Sequence, residues 1–237
     1  MQITDFFNLD GNKLTFTRQQ GSDFAKKIAN DFNPIHDIDH KRFCVPGDLL
    51  FAVMLHHYGL RQKMNFKFTG IVDDSKTVIL PDCKIEGDSM DVVDEKGKAL
   101  VNVTCTGEGT KDAELIASLS ESYVQFSGQA FPHLLVPLMR DNNVMINPDR
   151  PLVMYQSMCI TMDSLPSAQV HFEFDSSSLT VNGKRGEVSL KYELKNEQGE
   201  HIGHAHKSML LSGLREYDEA QMNSVVEYYN ERTQTLA

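Results

Sequence analysis

An aspartate, an asparagine and a histidine fall within six positions of one another in Asp31-Phe32-Asn33-Pro34-Ile35-His36. An imidazole titrates near neutrality, so it can give or take a proton at physiological pH. A carboxylate held beside it has a shifted pKa, and such a pair can activate a water. Pro34 pushes Asn33 out of helical space. The amphipathic run Phe24-Ala25-Lys26-Lys27-Ile28-Ala29 is therefore expected to end as a helix by Phe32. That places Asp31 on the last helical turn and His36 just beyond it, with both side chains aimed at one point. The Asn33 amide would brace the loop against backbone. The plain alternative is a helix end followed by an Asn-Pro turn, with His36 bonded to a backbone carbonyl.

Gly47 follows, in Val45-Pro46-Gly47-Asp48-Leu49-Leu50, and opens an apolar run that reaches Leu55. A glycine at a helix start lets a ligand oxygen approach the free backbone N–H groups, where the positive end of the helix stabilises developing charge. A carboxylate at Asp48 competes for the same N–H groups, and its plain structural role is an N-cap.

Taken together, Asp31-Phe32-Asn33-Pro34-Ile35-His36 and the following Pro46-Gly47-Asp48-Leu49-Leu50 resemble the hydratase motif of the MaoC-like (R)-specific enoyl-CoA hydratases. That motif reads roughly D-x-N-P-x-H-x-D, with H-G-M/L opening the central helix. The match covers about twenty residues. Here the segment between His and Gly is shorter, and Pro46 stands where the family has His. The resemblance implies a hot-dog fold and an activity of the fatty-acid-metabolism kind. Asp31 and His36 would be catalytic, holding a water for C3 of a trans-2-enoyl thioester of coenzyme A or acyl carrier protein. Asn33, Gly47 and Asp48 would bind substrate, and neither cofactor nor metal would be needed. Two other readings stay open: thioester hydrolysis, which hot-dog proteins also perform, and a non-catalytic module that binds acyl thioesters. Fold alone does not choose among them.

The elements that must position these residues follow from periodicity. Residues 48 to 60 are apolar nearly all round and predict a buried helix. Strands are expected at 14–17, 65–68, 76–80, 84–86, 89–94 and 99–106, and a second series at 153–161, 169–175, 186–194 and 201–211. Asp94-Glu95-Lys96-Gly97-Lys98 and Asn196-Glu197-Gln198-Gly199-Glu200 are matching hairpin turns. Gly128 opens a second apolar segment, read as a helix near 128–140 despite Pro132 and Pro137. Insertions are placed in loops at 141–150 and 176–185, and a terminal helix over 216–235. This is an α+β pattern. It reads as a double hot-dog, two helix-wrapping antiparallel sheets forming a pseudo-dimer: an N-terminal half 1–110 with the motif, a C-terminal half 111–215 without it, and a C-terminal helix 216–237. Aligning Gly128 on Gly47 places Asp112 and Ala117 against Asp31 and His36, so one half alone carries the pair.

The chain has 237 residues, 41% of them apolar, enough to build a core. Its formal charge is −10, which argues against nucleic acid or anionic membrane as partner. The four cysteines, Cys44, Cys83, Cys105 and Cys159, form no C-x-x-C pair and read as free thiols of a reducing compartment. No basic apolar leader and no membrane-length apolar run is present, so a cytoplasmic protein is expected, with a homodimer as a compatible assembly. His204 and His206 of His201-Gly203-His204-His206 would share one strand face and His201 the other, which speaks against a metal site. Lys26, Lys27, Lys41 and Arg42 flank the motif and read either as contacts for coenzyme phosphates or as a solvated basic face; Phe131, Met139 and Tyr155 could line an acyl tunnel, but core packing is the preferred reading.

Overall fold

In the computed structural model, which describes residues 2–82, 89–128, 130–166 and 169–236, a hairpin of β1 (Asn8–Asp10) and β2 (Lys13–Thr15) leads into α1 (Arg18–Asp23) and a π-helical turn at Phe24–Ile28. The helix starts at Arg18, earlier than expected, because Thr17 and Gln20 form a reciprocal capping box. Ser22 and Asp23 lie inside it.

Helix α2 (Gly47–Tyr58) follows as predicted and is buried along most of its length. Next come β3 (Leu60–Phe68), β4 (Val78–Ile79), β5 (Ser89–Asp94) and β6 (Ala99–Thr110). Then come α3 (Ala113–Gly128), α4 (Ala130–His133), α5 (Leu135–Asp141) and β7 (Val144–Met145). The chain ends with β8 (Val153–Met162), β9 (His171–Asn182), β10 (Arg185–Lys195), β11 (His201–Ser212), β12 (Arg215–Glu216) and α6 (Glu219–Leu236).

Among the described residues, ten strands form one antiparallel sheet in the order β1-β2-β4-β5-β6-β3-β8-β11-β10-β9. The expected α+β class is what the chain adopts. The seam between the first and second strand series is β3 against β8, in register from Lys63↔Thr161 to Lys67↔Ser157. The two series therefore share one continuous sheet. Phe51 of α2 ties the layers together: its ring lies 5.0 Å from Phe66 of β3 and 4.7 Å from Tyr123 of α3. Edge-on aromatic pairs of this kind add to the stability already gained from burial.

Both anticipated hairpin turns form. Gly97 and Gly199 take positive φ, 78° and 77°, where a side chain would be strained. Other expectations are corrected. The helix at 128–140 is broken, because Phe131, the residue before Pro132, is held extended at φ −112°, ψ 129°. The long second helix is α3 instead, which buries Leu115, Ile116, Leu119, Tyr123 and Val124 on one face. The loop read at 176–185 is a β9–β10 hairpin paired from Ser176↔Lys191 to Asn182↔Arg185. Its serine run hides the alternation that Leu179 and Val181 continue. The strand expected at 84–86 lies outside the described residues.

Candidate functional site

The motif loop is built by backbone caps. Asn30 takes a left-handed conformation at φ 50°, and the Asp31 N–H donates to the Ala25 carbonyl at 2.8 Å, closing the helix end. Asp31 thus stands just past the helix rather than on its last turn. Its Oδ1 accepts from the Asn33 N–H at 2.9 Å, and Asn33 Oδ1 accepts from the Ile35 N–H at 3.2 Å. The oxygen of Asn33 braces the loop, starting the 3-10 turn Pro34–His36.

These bonds bring Asp31 and His36 together. His36 Nε2 lies 3.5 Å from Asp31 Oδ2, while Nδ1 lies 2.6 Å from the Cys44 carbonyl. A carbonyl accepts only, so Nδ1 carries the proton, and Nε2 is the nitrogen presented to the carboxylate. Burial works against charge on His36, but the Asp31 carboxylate and the Cys44 carbonyl raise its pKa. Burial likewise pushes Asp31 up, and the imidazole overcomes this to hold its carboxyl below the usual range. Each member of the pair thus favours the charged form of the other.

Both side chains line a cavity of about 1180 Å³ whose wall also includes Asn33, Gly47 and Asp48. All five residues singled out from the sequence therefore border one space. The second half of the chain also lines it, with Phe131, Tyr155 and Met209, as does α6 with Val225 and Tyr229. Met139 is buried in the core and is not among the lining residues.

Gly47 and Asp48 differ from expectation. A Cβ on Gly47 would run into Cδ1 of Tyr155, so the glycine makes room for that ring rather than for a ligand. Asp48 does not cap α2, whose N-cap Pro46 has no side chain to bond. Its carboxylate instead accepts from the Tyr123 hydroxyl at 2.9 Å and pairs with Lys207 at 3.4 Å. Tyr123 and Tyr155 are hydroxyl-to-hydroxyl neighbours. Burial, reinforced by Asp48, pushes both phenols well above their usual pKa, so both stay protonated. The Lys207 ammonium stands 4.3 Å over the Tyr155 ring, a cation–π geometry.

The motif loop is tied down from the far end of the chain. Arg232 of α6 grips Asp37 with Nη2 at 2.6 and 2.8 Å and donates through Nε to the Phe32 carbonyl at 2.8 Å. Lys26 pairs with the same Asp37 at 2.8 Å, and Lys27 pairs with Asp23 at 2.9 Å. Lys26 is thus engaged in holding the loop, whereas Lys27 makes an exposed i,i+4 pair on the preceding helix. Asp112 caps α3, accepting from the Glu114 and Leu115 N–H groups at 3.0 and 2.9 Å.

The sequence reading missed Lys207. A signal was present: on β11 the buried phase runs Gly203, Ala205, Lys207, Met209, Leu211, so a lysine occupies a core position of an alternating strand. Among the described residues no His, Cys, Asp and Glu cluster has the geometry of a metal site, and no helix is long and apolar enough to cross a membrane.

Among solved structures, the chain resembles the acyl-CoA thioesterase II TesB2 from Mycobacterium marinum at 10% identity and TM-score 0.43, over 92% of this chain and 99% of that one. It resembles a conserved hot-dog-fold protein of unknown function from Alicyclobacillus acidocaldarius at 6% identity and TM-score 0.45, over 87% and 95% of the two chains. A MaoC-like dehydratase is similar at 9% identity and TM-score 0.43, over 85% and 96%. Each score is below 0.5, so the chemistry must be read from this chain's own residues. No curated protein matches the sequence. Residues 1–220 match the family model described as Protein of unknown function (DUF3581), and the chain belongs to that family.

Proposed function

We propose that the protein is a 2-enoyl thioester hydratase of the (R)-specific type, acting on a coenzyme A or acyl carrier protein thioester within a hot-dog architecture. The observation that carries this reading is the Asp31–His36 pair, Nε2 to Oδ2 at 3.5 Å, on the wall of a large and mainly apolar cavity beside the first turn of α2. The space suits an acyl chain, and the paired groups suit a water. His36 is locked through Nδ1, so the proton on Nε2 is the mobile one. Water oxygen bonds to C3 while one member of the pair takes its proton. A proton is delivered to C2, and the C2=C3 double bond is consumed. Proton transfer of this kind contributes about 10²–10⁴-fold in rate.

The test is hydration of crotonyl-CoA, followed by loss of enoyl absorbance. Asp31→Asn and His36→Ala should each abolish nearly all turnover, and the double variant should lose little more, since members of one catalytic unit are not additive. Acyl-CoA binding should survive in all three. Full activity in the single variants would reduce the motif to a structural turn. Thiol release from acyl-CoA without hydration would replace the reaction by hydrolysis, and binding without either would leave a sensor.

A further inference from the structure

Lys207 is a residue that structure alone would not choose. It sits in the apolar phase of a central strand, flanked in register by Leu190 and Met158, with its side chain 5% exposed. Burying an ammonium costs several kcal/mol before pairing is counted, and methionine would fill the same position at no such cost. The ammonium reaches across from the second strand series to Asp48 on the first turn of α2 and borders the same cavity as Asp31 and His36. Tyr155 is wedged against Gly47 beneath it, blocking the open face that glycine would otherwise offer a ligand.

We propose that Lys207, oriented by Asp48 and the Tyr155 ring, is the group that receives the thioester carbonyl oxygen, reinforcing the positive end of α2. An ammonium has three N–H donors in a movable cone, so it can keep Asp48 and also meet a ligand oxygen. When water adds at C3, negative charge passes through C2 onto the thioester oxygen as an enolate. Lys207 stabilises that oxygen by a charge-assisted hydrogen bond, with no proton transferred to it, until C2 takes its proton. The same contact would serve the tetrahedral oxyanion of a hydrolysis. The inference rests on the thioester reading above, but its test can fail separately.

Two measurements on the full chain decide it. One is crotonyl-CoA hydration, separated into kcat and KM. The other is calorimetric affinity for butyryl-CoA and for S-butyl-CoA, a thioether that differs by lacking the carbonyl oxygen. The wild type should prefer the thioester, Lys207→Met should erase that preference, and its kcat should fall by about 10²–10³-fold with a smaller change in KM. Lys207→Arg, which keeps the charge, should recover part of both. A buried salt bridge with no ligand role would leave the thioester preference unchanged, and that result would overturn the proposal. A wild type without any thioester preference would overturn it too. If the wild type hydrates and Lys207→Met does so equally well, the hydratase reading stands and the Lys207 assignment falls. If the wild type turns nothing over but loses its thioester preference in Lys207→Met, the assignment stands and the hydratase reading falls. Should Lys207→Met leave Asp48 buried alone and fail to fold, the double variant Asp48→Asn/Lys207→Met removes both charges and is carried through both measurements.

Discussion

Asp31 and His36 favour each other's charged forms, and pH should reveal it in stability. The Asp31 carboxyl is held below its ordinary range, so its contribution is complete above the unfolded value of about 4 and is lost as pH falls through the lower folded value. The His36 pKa is raised, so its contribution is complete below the unfolded value of about 6.5 and is lost as pH climbs through the higher folded value. Thermal midpoints should therefore be highest between about pH 4 and 6.5 on account of this pair. Asp31→Asn should flatten both flanks, and equal flanks in wild type and variant would show the pair is not ionised as described. The pair was legible in the sequence because its geometry is local: a proline, an asparagine and five residues of spacing set it. Lys207 was not, because its partner Asp48 lies 159 residues away, and only the apolar phase of β11 hinted at it.

At the scale of elements, the start of α2 is defined by a packing contact. Gly47→Ala would drive a methyl into the Tyr155 ring, and the backbone or the ring must move. Overpacking of this kind should cost about 1–3 kcal/mol in urea unfolding. The cost should shrink in a Tyr155→Leu background, because touching residues are coupled; an additive double variant would contradict the contact. Helix α6 acts as a strap over the motif loop. Arg232→Ala removes the bidentate grip on Asp37 and the bond to Phe32, leaving Lys26 as partner to that carboxylate. Hydrogen bonds to charged groups of this sort are worth about 1.5–3 kcal/mol, which is the expected loss in denaturant unfolding. A variant as stable as the wild type would mean the strap is not held through Arg232. Helix existence was readable from apolar runs, but helix ends were not. The first helix starts at a Thr17 cap well ahead of the run that begins at Phe24, and the second is broken at Phe131.

Across the whole molecule, the sheet is organised about a seam that no local pattern could announce. Strand alternation identified β5, β8, β10 and β11 nearly residue for residue, since one face of each is buried. The pairing of β3 with β8 joins residues almost a hundred positions apart, a choice made by the packing of Phe66 and Met158 and not by either strand alone. Central ladders open only with global unfolding, whereas edges open locally. Amide exchange should therefore be slowest in β3, β8 and β11 and faster in β1 and β9, the edge strands. Rapid exchange at Met64 to Phe66 would mean that the two strand series separate in solution.

The ion pairs that surround the site impose an order on its making. Asp37 precedes Arg232 by 195 residues, and Asp48 precedes Lys207 by 159. At synthesis rates of about 5–20 residues per second, the first of these gaps lasts roughly ten to forty seconds. Throughout that interval the nascent chain carries Asp31 and His36 without the second-half residues that complete their cavity. The cavity wall is thus complete only when the last strands and α6 have been made, and a chain cut short before β11 carries the motif without Lys207, Met209 or Val225.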